Sequence, residues 1–258
     1  MSKALDQFFG RLREAQHRLL LFDYDGTLAP FREKRDEAVP YPGVEERLDS
    51  LIASSTTTVV IISGRAIRDL KPLLKLKEYP EMWGSHGWEH LDKDGTYSLR
   101  EVDAGSLRKL AEARKHIEDN NLAEYLEEKP VSLAIHYRGA NRDKVLEIRQ
   151  IMSHYYMELL ADSQLTCAEF DGGLELKLPG FTKGDVVGGI MNRFRDVPVT
   201  AYLGDDLTDE DAFRALPESG LGVLVRNKIR PSAADVWIQP PHEMLAFLDR
   251  WLALDKSR

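Results

Sequence analysis

The chain runs to 258 residues, enough for one large domain or two, and is 43% hydrophobic and 30% charged, as in an ordinary globular protein. Its formal net charge of −8 argues against a nucleic-acid or anionic-membrane partner, since either would need a basic face. A phosphorylated substrate would therefore require a local basic pocket.

At the amino terminus no apolar stretch follows a basic segment, and no run approaches membrane-spanning length. No signal peptide, no membrane partner and a cytoplasmic location are expected. Leu5, Phe8, Phe9 and Leu12 recur at helical spacing and predict an opening amphipathic helix. Leu19 to Phe22 is uniformly apolar, as in a parallel strand covered on both faces. It runs into Asp23-Tyr24-Asp25-Gly26-Thr27. After Pro42-Gly43, Val44, Leu48, Leu51 and Ile52 form a helical stripe. Thr57 to Ile62 predicts the next parallel strand, leading into Ser63-Gly64-Arg65 and a helix through about Leu73. This β-α-β-α alternation predicts an α/β fold, a doubly wound parallel sheet of Rossmann-like type.

From about Gly105 the texture changes. A charged helix is expected over Ser106 to Asn120, a strand over Val131 to Tyr137, and a helix over Asn141 to Leu160. Strands over Leu165 to Phe170 and Leu174 to Leu178 would turn at Asp171-Gly172-Gly173. Cys167, the one cysteine, permits no internal disulfide and reads as a buried structural thiol. The α/β texture returns after Pro179, with a helix from Lys183, a strand from Val197, a helix over Asp209 to Leu216, a strand over Leu221 to Val225 and a terminal helix over Glu243 to Leu254. The expected organisation is a core over 1–104 and 179–258 with an α+β domain inserted over 105–178.

Open α/β sheets bind ligands at the carboxyl edge of their strands, and two carboxylates at i and i+2 there repel unless a cation or proton lies between them. A second acidic cluster, Gly204-Asp205-Asp206-Leu207-Thr208-Asp209, follows another apolar run. Either cluster alone reads equally as an acidic turn. Together, Asp23, Asp25, Asp205, Asp206 and Asp209 suggest a hard-oxygen cation site suited to Mg²⁺. A calcium loop fails, because it needs Gly sixth and Glu twelfth, where the two clusters hold Leu28 and Lys34, and Glu210 and Leu216. Phosphoryl transfer needs a nucleophile, an acid for the leaving oxygen and positive charge around the migrating group. Asp23 suits the nucleophile and Asp25 the acid and base, while Ser63 offers a hydroxyl and Lys183 a charge at a helix start. Taken singly, Ser63-Gly64-Arg65 is a common strand-to-helix turn and Lys183 a surface lysine.

That ordered set resembles the haloacid dehalogenase superfamily of aspartate-nucleophile phosphatases along the whole chain. In that superfamily an aspartate at the Asp25 position implies a phosphatase or mutase, where the ion-pumping ATPases carry threonine. The insert between Arg65 and Lys183 is similar to the large α+β cap type. Finer motifs resemble the trehalose-6-phosphate phosphatase family: Ser63-Gly64-Arg65, His86-Gly87-Trp88-Glu89, Glu127-x-Lys129, the strand from Ser132 to Arg138, Glu175-Leu176-Lys177, and the acidic motif from Gly204 to Phe213. Two positions depart from the family pattern: Leu178 where Pro is frequent, and Thr182 where an acidic residue usually precedes the lysine.

The resemblance implies Mg²⁺-dependent hydrolysis of trehalose 6-phosphate through an aspartyl-phosphate. Substrate contacts would come from Gly64, Arg65 and His86, and from Glu127, Lys129, Arg138, Asn141, Glu175 and Lys177 in the insert. Selectivity for a disaccharide suits such long polar groups, because a wrong sugar would leave them unpaired. The same groups read alternatively as a solvated sheet face, and His136 reads as either a packed histidine or a ligand contact. Related glycosyl phosphates, mannosyl-3-phosphoglycerate or glucosylglycerol phosphate, remain alternative substrates. A phosphomutase and a non-catalytic binding module are the other classes. The oligomeric state is not legible.

Overall fold

Strands with no polar face need cover on both sides, and the larger sheet is built to supply it. The computed structural model describes residues 3–32, 34–161, 163–170 and 172–255. Among them the chain divides into two compact units, Met1–Ser98 with Phe181–Arg258, and Leu99–Gly180; the sequence suggested an insert over 105–178.

In the first unit, β1 (Arg18–Phe22), β2 (Thr57–Ile62), β3 (Glu81–Gly84), β4 (Glu89–Leu91) and β5 (Tyr97–Leu99) form one side of a sheet. On the other side stand β10 (Val199–Gly204), β11 (Leu221–Val225) and β12 (Val236–Ile238), so the order is β12-β11-β10-β1-β2-β3-β4-β5. Pairing is parallel from β12 through β3, and β4 returns antiparallel on β3. Helices α1 (Lys3–Glu14), α2 (Val44–Ile52), α3 (Ile67–Leu70), α6 (Lys183–Met191), α7 (Glu210–Ala215) and α8 (His242–Asp255) accompany it.

The two-residue period of each strand sends alternate side chains into two cores. Leu20, Phe22, Val59, Ile61, Ala201 and Leu203 are buried with Phe8, Leu12, Leu48 and Trp251 of α1, α2 and α8. Leu19, Leu21, Val60, Ile62 and Tyr202 are buried with Val186, Val187, Ile190, Ala212 and Phe213 of α6 and α7. This explains the uniformly apolar strands. In register, Phe22 lies between Leu203 and Ile61, so the residues that follow β1, β2 and β10 emerge together at one edge.

The helix expected through Leu73 is a single turn, Ile67–Leu70, continued as a 3-10 turn over Lys71–Leu73. Pro72 has no N–H to continue the α-helical ladder. Strands β3, β4, β5 and β12 were not expected; each has only three or four residues, too few for a period to register.

The second unit holds α4 (Ala104–Asp119), β6 (Leu126–Lys129), β7 (Ser132–His136), α5 (Arg142–Ala161), β8 (Thr166–Phe170) and β9 (Gly173–Lys177). Its sheet is antiparallel, ordered β6-β7-β9-β8. Leu133, Ile135, Leu174 and Leu176 are buried on one face, as are Leu110, Ala113, Ile117, Ile148 and Met152 of the two helices. Asp171, expected in the β8–β9 turn, lies outside the described residues. Cys167 is half-buried rather than buried, because β8 is the edge strand; burial pushes its thiol up. Among the described residues no helix is long and apolar enough to cross a membrane.

Candidate active site

Asp23, the first residue after β1, is buried and donates its N–H to Leu203 O at 2.9 Å. Helix α6 starts at Lys183 because Thr182 caps it reciprocally with Asp185. That start delivers the buried Lys183 Nζ 2.5 Å from Asp23 Oδ1 and 2.7 Å from Asp209 Oδ1. Burial alone would discharge the ammonium, but Asp209 and Asp23 outweigh it and hold the lysine pKa well above its ordinary value. Lys183 is therefore not a surface lysine.

Asp209 Oδ1 also accepts the Tyr202 hydroxyl at 2.6 Å, and its Oδ2 accepts the N–H groups of Asp205 and Asp206 at 3.0 and 2.9 Å. Four donors fill this carboxylate. Expected among the cation ligands, it lies in the acidic cluster with Asp23 and Asp205, and it also anchors Lys183 and shapes the acidic loop.

Oxygens of Asp23, Asp205 and Asp209 lie within 4.8 Å of one another. Burial first, then repulsion from Asp23 and Asp209, pushes the Asp205 carboxyl up to about 9. Burial raises Asp23 to about 7 against the pull of Lys183. Asp205 Oδ1 is buried with no hydrogen-bond partner among the described residues. Crowded hard oxygens with one unsatisfied atom fit a small divalent cation. Gly26 (φ 84°) lets the Asp205 carboxylate pack where a Cβ would collide with it. Arg226 donates to Asp205 O at 2.9 Å and Arg230 to Asp206 O at 2.8 Å, so two guanidinium groups brace the main chain of this loop. Asp206, also expected as a ligand, is exposed and stands outside the cluster.

These shifts fix a pH dependence. Asp23 and Asp205 bind protons more tightly folded than unfolded, so their stabilising contribution is complete below the ordinary carboxylate value of 3.8 and fades as pH rises through about 7 and about 9. The metal-free protein should melt at progressively lower temperature from about pH 5 to about pH 9, and a bound divalent cation should flatten that decline. Melting curves with chelator and with Mg²⁺ check this; a metal-free melting temperature that rises over that range would contradict it.

The carboxylate of Asp25, expected as acid and base, sits apart from the three. Arg65 donates to both of its oxygens, at 2.7 and 2.6 Å, donates to Arg35 O at 2.8 Å, and stacks 5.6 Å from the Tyr24 ring centroid. Expected as a substrate contact, Arg65 here orients Asp25. Ser63 is buried at the end of β2, where its Oγ accepts the Arg65 N–H at 3.1 Å. The His86 imidazole lies on Gly64, whose added Cβ would come 2.7 Å from His86 Cε1. Ser63, Gly64, Arg65 and His86 thus meet at one edge.

In the second unit, the sheet face opposite the buried leucines carries Glu127 and Lys129 on β6, Ser132 and His136 on β7, and Glu175 and Lys177 on β9. Lys129 Nζ donates to Glu175 Oε1 at 2.7 Å, and Ser132 Oγ donates to the same oxygen at 2.9 Å. His136 Nε2 lies 2.7 Å from Glu127 Oε2, half-buried. Four of the six expected contacts therefore share one face, joined by His136. The other two do not: Arg138 is exposed in the turn after β7, and Asn141 Oδ1 accepts the Lys144 N–H at 2.9 Å, capping α5.

A family model described as trehalose-phosphatase matches residues 21–236. The chain belongs to the trehalose-phosphatase family. It is 31% identical over 249 residues to the trehalose-phosphate phosphatase of Mycobacterium marinum, covering 90% of this chain and 60% of that protein. It is 30% identical over 255 residues to the one from Mycobacterium avium, covering 91% and 62%. The chain thus spans about three fifths of the length of these relatives. The C-terminal domain of the Candida albicans trehalose-6-phosphate phosphatase superposes with a TM-score of 0.79 at 22% identity, covering 96% of each chain. At that identity the likeness is one of fold.

Within this trehalose-phosphatase fold the sequence reading missed Tyr202, Arg226 and Arg230. Tyr202 carried a signal, a hydroxyl in a mostly apolar strand. The two arginines carried a weaker one, following a strand that ends at the same edge as β1.

Proposed function

We propose that this chain is a Mg²⁺-dependent phosphatase that hydrolyses trehalose 6-phosphate to trehalose and phosphate. The carrying observation is Asp23 at the sheet edge, bonded to a buried lysine and facing the unsatisfied Asp205. Asp23 attacks phosphorus and the phosphoryl group passes to its carboxylate; the leaving sugar oxygen takes a proton from Asp25. Asp25 then removes a proton from the water that cleaves the aspartyl-phosphate, releasing phosphate and restoring Asp23. Arg65 keeps Asp25 oriented through both halves. The Ser63 hydroxyl and the Lys183 ammonium hold phosphate oxygens. Asp23, the Asp25 main-chain carbonyl and Asp205 would hold Mg²⁺, which would supply charge neutralisation between carboxylate and phosphate.

In the second unit, Glu127, Lys129, Glu175 and Lys177 would recognise sugar hydroxyls, the half-buried Glu127 and Lys177 being the more available. A panel of phosphorylated sugars with p-nitrophenyl phosphate, scored by released phosphate in Mg²⁺ and in chelator, tests the assignment. Trehalose 6-phosphate should lead the panel, with activity lost in chelator. Glu127→Ala and Lys177→Ala should each lower kcat/KM on trehalose 6-phosphate by roughly one to two powers of ten, the worth of a buried charged hydrogen bond. Both should leave p-nitrophenyl phosphate nearly unchanged. Preference for another glycosyl phosphate, isomerised sugar phosphate without release, or equal loss on both substrates would sink the trehalose assignment.

A further inference from the structure

Between β3 and β4 the chain makes a turn in which Ser85 (φ 48°) and His86 (φ 58°) are both left-handed. Two consecutive non-glycine residues hold that conformation only where their surroundings over-determine it. Part of the restraint is the backbone itself. Ser85 N–H donates to Arg65 O at 2.7 Å, and His86 N–H donates to Ser63 O at 3.1 Å. The turn therefore clasps both ends of Ser63-Gly64-Arg65 while its imidazole rests on the glycine between them.

The other part is Glu89 on β4, which is 2% exposed. Its Oε2 accepts the Ser85 hydroxyl at 2.5 Å and the Ile67 N–H at 3.3 Å, and its Oε1 accepts the Tyr97 hydroxyl at 3.1 Å. One buried carboxylate thus ties the strained turn to the start of α3, two residues after Arg65, and to β5.

We propose that Glu89 is a positioning residue for the phosphate subsite. It acts through the Ser85-His86 turn: the Ser85 N–H holds Arg65 O and the His86 N–H holds Ser63 O, and Arg65 in turn holds Asp25. The assignment rests on the reading that Ser63 and Asp25 serve phosphoryl transfer. It does not depend on which sugar carries the phosphate.

The test uses the full chain with p-nitrophenyl phosphate as substrate and inorganic phosphate as inhibitor, with folding followed by circular dichroism. Glu89→Ala should raise the phosphate inhibition constant about tenfold and lower kcat by about ten- to a hundredfold. A merely structural loss would reduce the active fraction, and so kcat, but leave the inhibition constant where it was. Glu89→Gln should stay within about threefold of the parent, because its amide oxygen accepts from Ser85 and Ile67 while its amide N–H donates to the Tyr97 oxygen. Should Glu89→Ala not fold, Ser85→Ala reads the same link by deleting the hydroxyl alone, and should raise the phosphate constant. An unchanged phosphate constant in a folded Glu89→Ala or Ser85→Ala variant, or a Glu89→Gln as impaired as Glu89→Ala, overturns the proposal. Inactivity of the parent chain on every phosphomonoester overturns instead the phosphatase reading beneath it.

Discussion

Asp23→Asn should cut turnover by about four powers of ten or more on every substrate, with a melting temperature within a few degrees of the parent. An amide cannot accept the phosphoryl group, so no slower version of the same route remains. Its oxygen can still accept from Lys183, which now sits 2.5 Å from the carboxylate, so the pocket keeps that bond. The substitution also removes one of the crowded carboxylates that push Asp205 up. The melting temperature of the metal-free variant should therefore fall less steeply with pH than that of the parent. Residual hydrolysis near the parent rate, in a variant with an unchanged circular dichroism spectrum, would show that another group is the nucleophile.

The long parallel strands were legible because burial on both faces leaves a uniformly apolar run, as in Leu19 to Phe22, or a β-branched one, as in Thr57 to Ile62. The edge chemistry was legible for the same reason: Asp23, Ser63 and Asp205 are the first polar residues after such runs. Division of labour among the carboxylates was not. Asp205, Asp206 and Asp209 look alike in sequence. Only the fold shows Asp209 taking four donors, Asp206 exposed and Asp205 with an orphaned oxygen. The tie from Arg65 to Asp25 was not legible either, since the two lie 40 residues apart, and no local pattern reports a contact of that span. Asn141 shows the converse, a polar residue before a helix whose cap role was available from sequence and was passed over for a sugar contact.

Lys183→Met should lower both activity and stability, and the stability loss should depend on pH. The ammonium is buried between Asp23 and Asp209 at 2.5 and 2.7 Å. Removing one partner of such a buried set leaves uncompensated charge, which costs about 3–5 kcal/mol. That cost should be greatest near about pH 8, where Asp23 is ionised, and should shrink toward about pH 5, where Asp23 takes up a proton. Adding Asp209→Asn removes one of the stranded charges but turns an amide NH2 onto donors that a carboxylate oxygen had accepted, so the pH dependence of the loss should weaken while a pH-independent loss remains. It should recover none of the activity, since the cation facing the migrating phosphoryl group is still missing; that loss should be on the order of a hundred- to a thousandfold or more. Denaturant unfolding at the two pH values, with phosphate release measured on the same three samples, separates the two roles. A Lys183→Met variant as stable as the parent at about pH 8 would mean that Lys183 is not what neutralises this acidic cluster, and recovered activity in the double variant would mean that its charge does not serve the reaction.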